Sequence, residues 1–273
     1  MDNSSFFLII SNFISIFVDM KPLILISNDD GYQAKGINFL IELLSPMARI
    51  LVVAPDSGRS GQACACTFKE PIYKRLIRSE GDSVIWSCSG TPVDCIKLAL
   101  FDICSETPAM IIGGINHGDN SAVNAHYSGT MGIAIEGCLK GIPSVAFSID
   151  SHDTDADFMP FANAIRHITS YVLAHGLPLH SCLNVNFPNA TVCKGIRICR
   201  MAYGDWKNEF EKHPHPRGGD YYWLTGYFQL YESSTADTDR MALQQGYAAI
   251  TPITLDLTDY ILKKQLEQDF PQS

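Results

Sequence analysis

Four short, almost unbroken apolar runs constrain this chain more than any other feature. Leu23 to Ser27, Ile50 to Ala54, Met110 to Ile112 and Ser144 to Ser148 lack the alternation of a strand with one wet face. Runs of this kind belong to strands covered on both sides, as in a parallel sheet between helices. Segments of helical character fill the gaps, at Ile37 to Met47 and at about 93–101, 129–140 and 155–174. Strand–helix alternation predicts an α/β fold with a mostly parallel sheet flanked by helices. In such sheets ligands bind beyond the carboxyl ends of the strands. After about residue 190 the pattern changes. Gly195 to Met201, Tyr221 to Leu230 and Gly246 to Ile253 read as extended segments between Pro- and Gly-rich stretches. The expected organisation is an extension at 1–20, an α/β catalytic core at 21–190, and a β-rich C-terminal arm with a closing helix at 191–273.

The extension contains the apolar run Phe6 to Val18, interrupted by Ser and Asn. It falls short of the roughly 20 apolar residues of a membrane span. It also lacks the preceding basic region and small-x-small site of a secretory signal. The preferred reading is a working chain that opens at Met20; a genuine extension and a weak export signal are the alternatives. With 29 acidic and 20 basic side chains, the net charge of −9 argues against long nucleic acid as a ligand. A small phosphorylated substrate then needs local positive charge. Nine cysteines without a CxxC pair argue for free thiols in a reducing cytoplasm rather than for a disulfide framework or a structural zinc site.

Four loops at predicted strand ends carry the chemistry. Asn28-Asp29-Asp30-Gly31 places two carboxylates side by side directly after a buried strand. At an effective dielectric near 20, two such charges about 4 Å apart repel by about 4 kcal/mol. A hard divalent cation relieves that repulsion, and oxygen ligands suit Mg²⁺, Mn²⁺ or Ca²⁺; a solvated turn is the alternative. Pro55 to Gly61 offers the Ser60 hydroxyl to a cation and Arg59 to an anion, or is simply a glycine-rich surface loop. Gly113 to Asn120 supplies the Asn116 amide oxygen, with His117 read as a surface or supporting histidine. Tyr127-Ser128-Gly129-Thr130 opens a helix whose free N–H groups form an anion site, or Ser128 is a plain N-cap. Walker A, GxSxG and GxGxxG patterns are absent.

The ordered motifs ILISNDDGYQAKGI (24–37), APDSGRSG (54–61), SGTPVDCIKLAL (89–100), GGINHGDN (113–120) and HYSGTMGIAIEG (126–137) resemble the stationary-phase survival protein SurE family. LNVNFPN (183–189), GDYYWLTG (219–226) and TDRMALQQGYAAITPITLDLT (238–258) extend the resemblance nearly to the end. The resemblance implies a Rossmann-like core and a metal-dependent nucleotidase that hydrolyses nucleoside 5′- and 3′-monophosphates. It implies one divalent metal ion per subunit, Mg²⁺ or Mn²⁺, held by Asp29, Asp30, Ser60 and Asn116. Asp29 and Asp30 become the catalytic carboxylates, and Asn116, Ser128, Gly129 and Thr130 the phosphate-binding residues. An activated water assisted by one Asp is favoured over an aspartate nucleophile. A homodimer or tetramer through the C-terminal arm is also implied. A separate reading sets Asp237, Thr238 and Asp239 near a neighbouring subunit's site. Asn120 to Ala125 replaces the Leu-Gly-Asp-Asp stretch of many members, which bears on substrate preference; His126 stands where an aliphatic residue is more usual, and nothing in the sequence explains it. Another small phosphoester, short polyphosphate, or nucleotide binding without cleavage are the alternative readings.

Overall fold

The computed structural model describes residues 21–233 and 237–270, so the readings of segment 1–20 fall outside the described residues. In chain order the first strands are β1 (Leu23–Ser27), β2 (Arg49–Pro55), β3 (Lys74–Glu80), β4 (Ser83–Cys88), β5 (Met110–His117), β6 (Ser144–Ile149) and β7 (Ser181–Phe187). The later strands are β8 (Ile196–Ile198), β9 (Gly204–Lys207), β10 (Phe210–Pro214), β11 (Asp220–Leu224), β12 (Tyr227–Leu230) and β13 (Ala248–Thr254). The α-helices are α1 (Lys35–Leu44), α2 (Pro92–Leu98), α3 (Gly129–Leu139), α4 (Ala162–His175), α5 (Asp239–Gln244) and α6 (Tyr260–Asp269).

Nine strands form one sheet in the order β3-β4-β2-β1-β5-β6-β7-β13-β8. Pairing is parallel from β4 to β7 and between β13 and β8, and antiparallel for β3–β4 and β7–β13. Successive β1 residues serve opposite faces, as the pleat requires. Ile24 and Ile26 join the core cluster that holds α1 and α4 residues, whereas Leu25 joins the cluster containing Cys95, Ile96 and Ile133. Both faces are dry, which is why the run is unbroken. The mostly parallel α/β architecture follows the sequence reading.

Local chemistry adjusts several boundaries. α2 starts where Thr91 and Asp94 form a capping box and Pro92 takes the first turn; the chain then widens into a π turn, Ala99–Ile103. α4 begins at Ala162 rather than 155, because turns and the short 3₁₀ segment Met159–Phe161 occupy the polar stretch before it. β5 outruns the apolar triplet and carries its glycines inside the sheet as far as His117. The β3–β4 hairpin and β7 escape the apolar-run reading. β3 is a charged, exposed edge, which discourages pairing with another chain. β7 buries Asn184 and Asn186. In the C-terminal part, β13 and β8 enter the central sheet, while β9–β12 and β10–β11 form separate two-stranded ribbons.

Candidate active site

The strand order reverses at β1: its neighbour β2 leads to one edge of the sheet and β5 to the other. That reversal opens a crevice at the carboxyl ends of β1 and β5. A cavity of about 740 Å³ lies there, and its lining includes Asp29, Ser60, Asn116, His117, Tyr127, Ser128 and Trp206. Three of the four oxygen donors expected at a cation therefore line one cavity, and Asp30 adjoins it through His117.

The turn after β1 closes on itself. Asn28, fully buried, accepts from the Gly31 N–H at 3.1 Å and donates to the Gly31 carbonyl at 2.9 Å. Gly31, at φ 97°, lies close to the Pro55 carbonyl and Ser57 backbone. The Arg59 N–H donates to the Asp29 carbonyl at 2.7 Å, joining the two loops. Arg59's guanidinium donates to the Ser89 carbonyl at 2.9 Å and lies 3.7 Å from Asp56, so internal partners take the charge that the sequence offers to an anion.

Asp29 is 3% exposed. Its Oδ1 accepts from the Thr130 hydroxyl at 2.5 Å. Burial pushes the Asp29 carboxyl up to about 6; the Thr130 bond opposes the rise and the charge of Asp30 adds to it. Asp30 Oδ2 lies 3.3 Å from both the backbone nitrogen and Nδ1 of His117. The His117 ring meets Phe158 edge-on at 5.4 Å, and its buried Nε2 has no partner among the described residues. A register shift between Gly113 and Asn116 re-aims the end of β5. The Asn116 amide nitrogen donates to the Gly118 carbonyl at 2.6 Å, which leaves its oxygen as the acceptor end.

Ser128 caps α3, accepting from the Met131 N–H at 3.0 Å. Gly129 brings the first turn of α3 against Asp29, where an added Cβ would stand 3.0 Å from the Asp29 Cβ. Thr130 is fully buried and directs its hydroxyl at Asp29. The Thr130 hydroxyl is spent on Asp29, whereas Ser128 Oγ accepts in the cap and keeps its own proton to donate. Among the described residues no three His, Cys, Asp or Glu side chains gather as a metal site. The donor set is instead two carboxylates, a hydroxyl and an amide oxygen. A buried carboxylate beside a second one, with no cationic side chain among the described residues bonded to either except His117 when protonated, fits a hard divalent cation.

Sequence reasoning missed the supports. Asn120 donates its backbone N–H to Asn186 Oδ1 and its amide to Ser148 Oγ, both at 2.7 Å. Asn184 donates to the Asn120 carbonyl at 2.7 Å. The signal was the polar alternation Asn184-Val185-Asn186 within an otherwise apolar strand. Asp239 bonds to Ala122 and Ala202 of its own chain, both at 2.9 Å, rather than standing free for a neighbour.

The reversal crevice, the oxygen-rich loops and the facing helix N-terminus define an α/β protein of the phosphate-handling class. The family model described as Survival protein SurE matches residues 24–208, and the chain belongs to that family. A protein named 5′-nucleotidase SurE from Phocaeicola vulgatus is 53% identical over 247 residues, covering 90% of this chain and 96% of that protein. One of the same name from Bacteroides thetaiotaomicron is 51% identical, covering 88% and 93%. The crystal structure of the SurE protein from Aquifex aeolicus superposes with a TM-score of 0.78 at 36% identity, covering 90% of this chain and 99% of that one.

Proposed function

We infer that this chain is a 5′-nucleotidase that hydrolyses nucleoside monophosphates to nucleoside and phosphate, using a divalent cation. The observation that carries this reading is Asp29, a buried carboxylate pressed against the first turn of α3 inside the reversal crevice. Asp29, Asp30, Ser60 and Asn116 would hold the cation, Mg²⁺ or Mn²⁺, which would supply charge neutralisation and Lewis-acid polarisation. The Ser128 to Thr130 amides receive the phosphate, with the positive helix end favouring its charge. Thr130 fixes the Asp29 carboxylate and His117 fixes Asp30. One carboxylate of the pair would take the proton of the attacking water as the P–O ester bond breaks and pass it to the departing nucleoside oxygen, which leaves as the alcohol. Positioning and charge stabilisation, rather than a strong nucleophile, carry such chemistry.

The named relatives support the substrate class. All nine cysteines are free, which favours a reducing compartment, and we read the enzyme as cytoplasmic. Among the described residues no helix is long and apolar enough to cross a membrane. No residue of α6 is buried, and a hollow of about 690 Å³ is lined by Asp259 and α6-side residues through Phe270. That unpartnered face supports a homodimer or tetramer built through the C-terminal arm. Phosphate release from AMP with Mg²⁺ or Mn²⁺ tests the activity. Turnover abolished by chelator and restored by either metal is expected; chelator-insensitive turnover, or none with either metal, would overturn the reading.

A further inference from the structure

Two segments far apart in sequence line the same cavity: residues 118–128 through Asp119, Asn120, Asn124, Tyr127 and Ser128, and the ribbon region through Trp206, Glu209 and Leu224 to Gly226. A closed circuit of contacts holds them together. Arg240 Nη1 lies 2.9 Å from Asp119 Oδ1. Its guanidinium stands 5.9 Å from the Phe228 ring centre, within cation–π range. Phe228 meets Trp206 edge-on at 6.2 Å. Trp206 Nε1 donates to Asn124 Oδ1 at 2.7 Å, and Asn124 Nδ2 donates to the Asp119 carbonyl at 3.3 Å, which closes the circuit. The neighbouring Asp239 pins the backbone of both segments, at Ala122 and Ala202.

Arg240 stands behind the cavity lining, and its charge is already matched. Asp119 holds it, Asp150 Oδ1 approaches to 3.6 Å, and the side chain is 23% exposed. Nη1 alone approaches both carboxylates, while the guanidinium carbon faces the Phe228 ring, so the group spans both walls as a brace; lysine keeps the charge but not the planar group. The walls it spaces carry aromatic and amide groups, Tyr127, Trp206 and Asn124, which suit the flat face and polar edge of a nucleobase.

We propose that Arg240 is a positioning residue for the nucleoside moiety, setting the spacing between the 118–128 segment and the Trp206 ribbon. The proposal rests on the nucleotidase reading. Its consequence is selective: loosening the brace weakens binding of nucleoside phosphates more than that of phosphoesters without a base.

The test compares AMP with glycerol 2-phosphate, under saturating Mn²⁺, in wild type, Arg240→Gln, Arg240→Lys and Phe228→Leu. In Arg240→Gln the preference for AMP in kcat/KM should fall about tenfold, nearly all of it in the AMP KM. Arg240→Lys should recover part of the loss, and Phe228→Leu should shift the preference in the same direction. An unchanged preference, or an equal fall on both substrates, would refute the brace. Should Arg240→Gln fail to fold by circular dichroism, Arg240→Lys and Phe228→Leu decide by the same ratio. Wild type that releases no phosphate from AMP defeats the nucleotidase reading itself, whereas an active wild type with an unmoved ratio defeats only the role of Arg240.

Discussion

Asp29 is the residue at which stability and chemistry oppose each other. Its carboxyl rises from 3.8 to about 6, with burial the largest cause. The sign follows from linkage. Below about pH 4 the group is protonated both folded and unfolded, and its contribution is fully present. As pH rises through about 6 the metal-free fold must hold a buried charge, and that contribution is lost. A rise of about two units corresponds to about 3 kcal/mol. Metal-free Asp29→Asn should therefore be more stable than metal-free wild type by about 2–3 kcal/mol at pH 7.5, with the gap closing near pH 4. Urea titrations in chelator measure this, and equal stabilities at pH 7.5 would remove the argument. Restoring Mn²⁺ should stabilise wild type more than the variant, whose turnover should be nearly abolished. At this scale the sequence was legible where polar residues followed a buried run, as at Asn28 to Gly31 and at Asn116. It was not legible at Asn184, Asn186 or Arg240, and at Thr130 it pointed to phosphate and not to Asp29. A buried hydroxyl, amide or guanidinium is ambiguous until its partner is known, and these partners lie far away in the chain: Thr130 is 101 residues from Asp29.

Elements pack here with little room for adjustment. Gly36 lies in the first turn of α1, and a Cβ there would stand 2.1 Å from the Ile115 carbonyl oxygen of β5. Helix propensity alone predicts that Gly36→Ala stabilises α1 by about 1 kcal/mol. Backbone overlap of that size outweighs it, because neither partner is a flexible side chain and overpacking costs about 1–3 kcal/mol or more. Gly36→Ala should be destabilising by at least about 2 kcal/mol in urea unfolding. It should also lower activity beyond its effect on stability, since Asn116 follows Ile115 directly; a neutral or stabilised variant would contradict this packing. The buried strands were readable because two dry faces demand continuous apolar sequence. The β3–β4 hairpin was not, because β3 is a polar edge, and the late start of α4 reflects turns that periodicity does not detect.

At the scale of the whole molecule, α6 is a piece with no buried residue. It exposes Ile261 (86%), Leu262 and Leu266, and its C-cap Phe270 is 74% exposed. A helix of ten residues is marginal in water without a partner surface. Ile261→Asp combined with Phe270→Asp should yield a smaller species in sedimentation while the cooperative melt of the core persists. An unchanged mass would argue that assembly uses another face. The mixed sheet also blurs the line between core and arm. Strands from 196–198 and 248–254 complete the edge beyond β7, so the C-terminal part contributes to the same folding unit as β1 to β7.

The bond between Ala122 and Asp239 spans 117 residues, and synthesis is vectorial. A ribosome releases Asp29, Ser60, Asn116 and Ser128 long before it releases Asp239 and Arg240. A chain cut anywhere between residues 131 and 238 contains every oxygen proposed to hold the cation and lacks the clamp across the cavity. With the brace proposed above, discrimination among substrates therefore depends on residues made after every oxygen proposed to hold the cation.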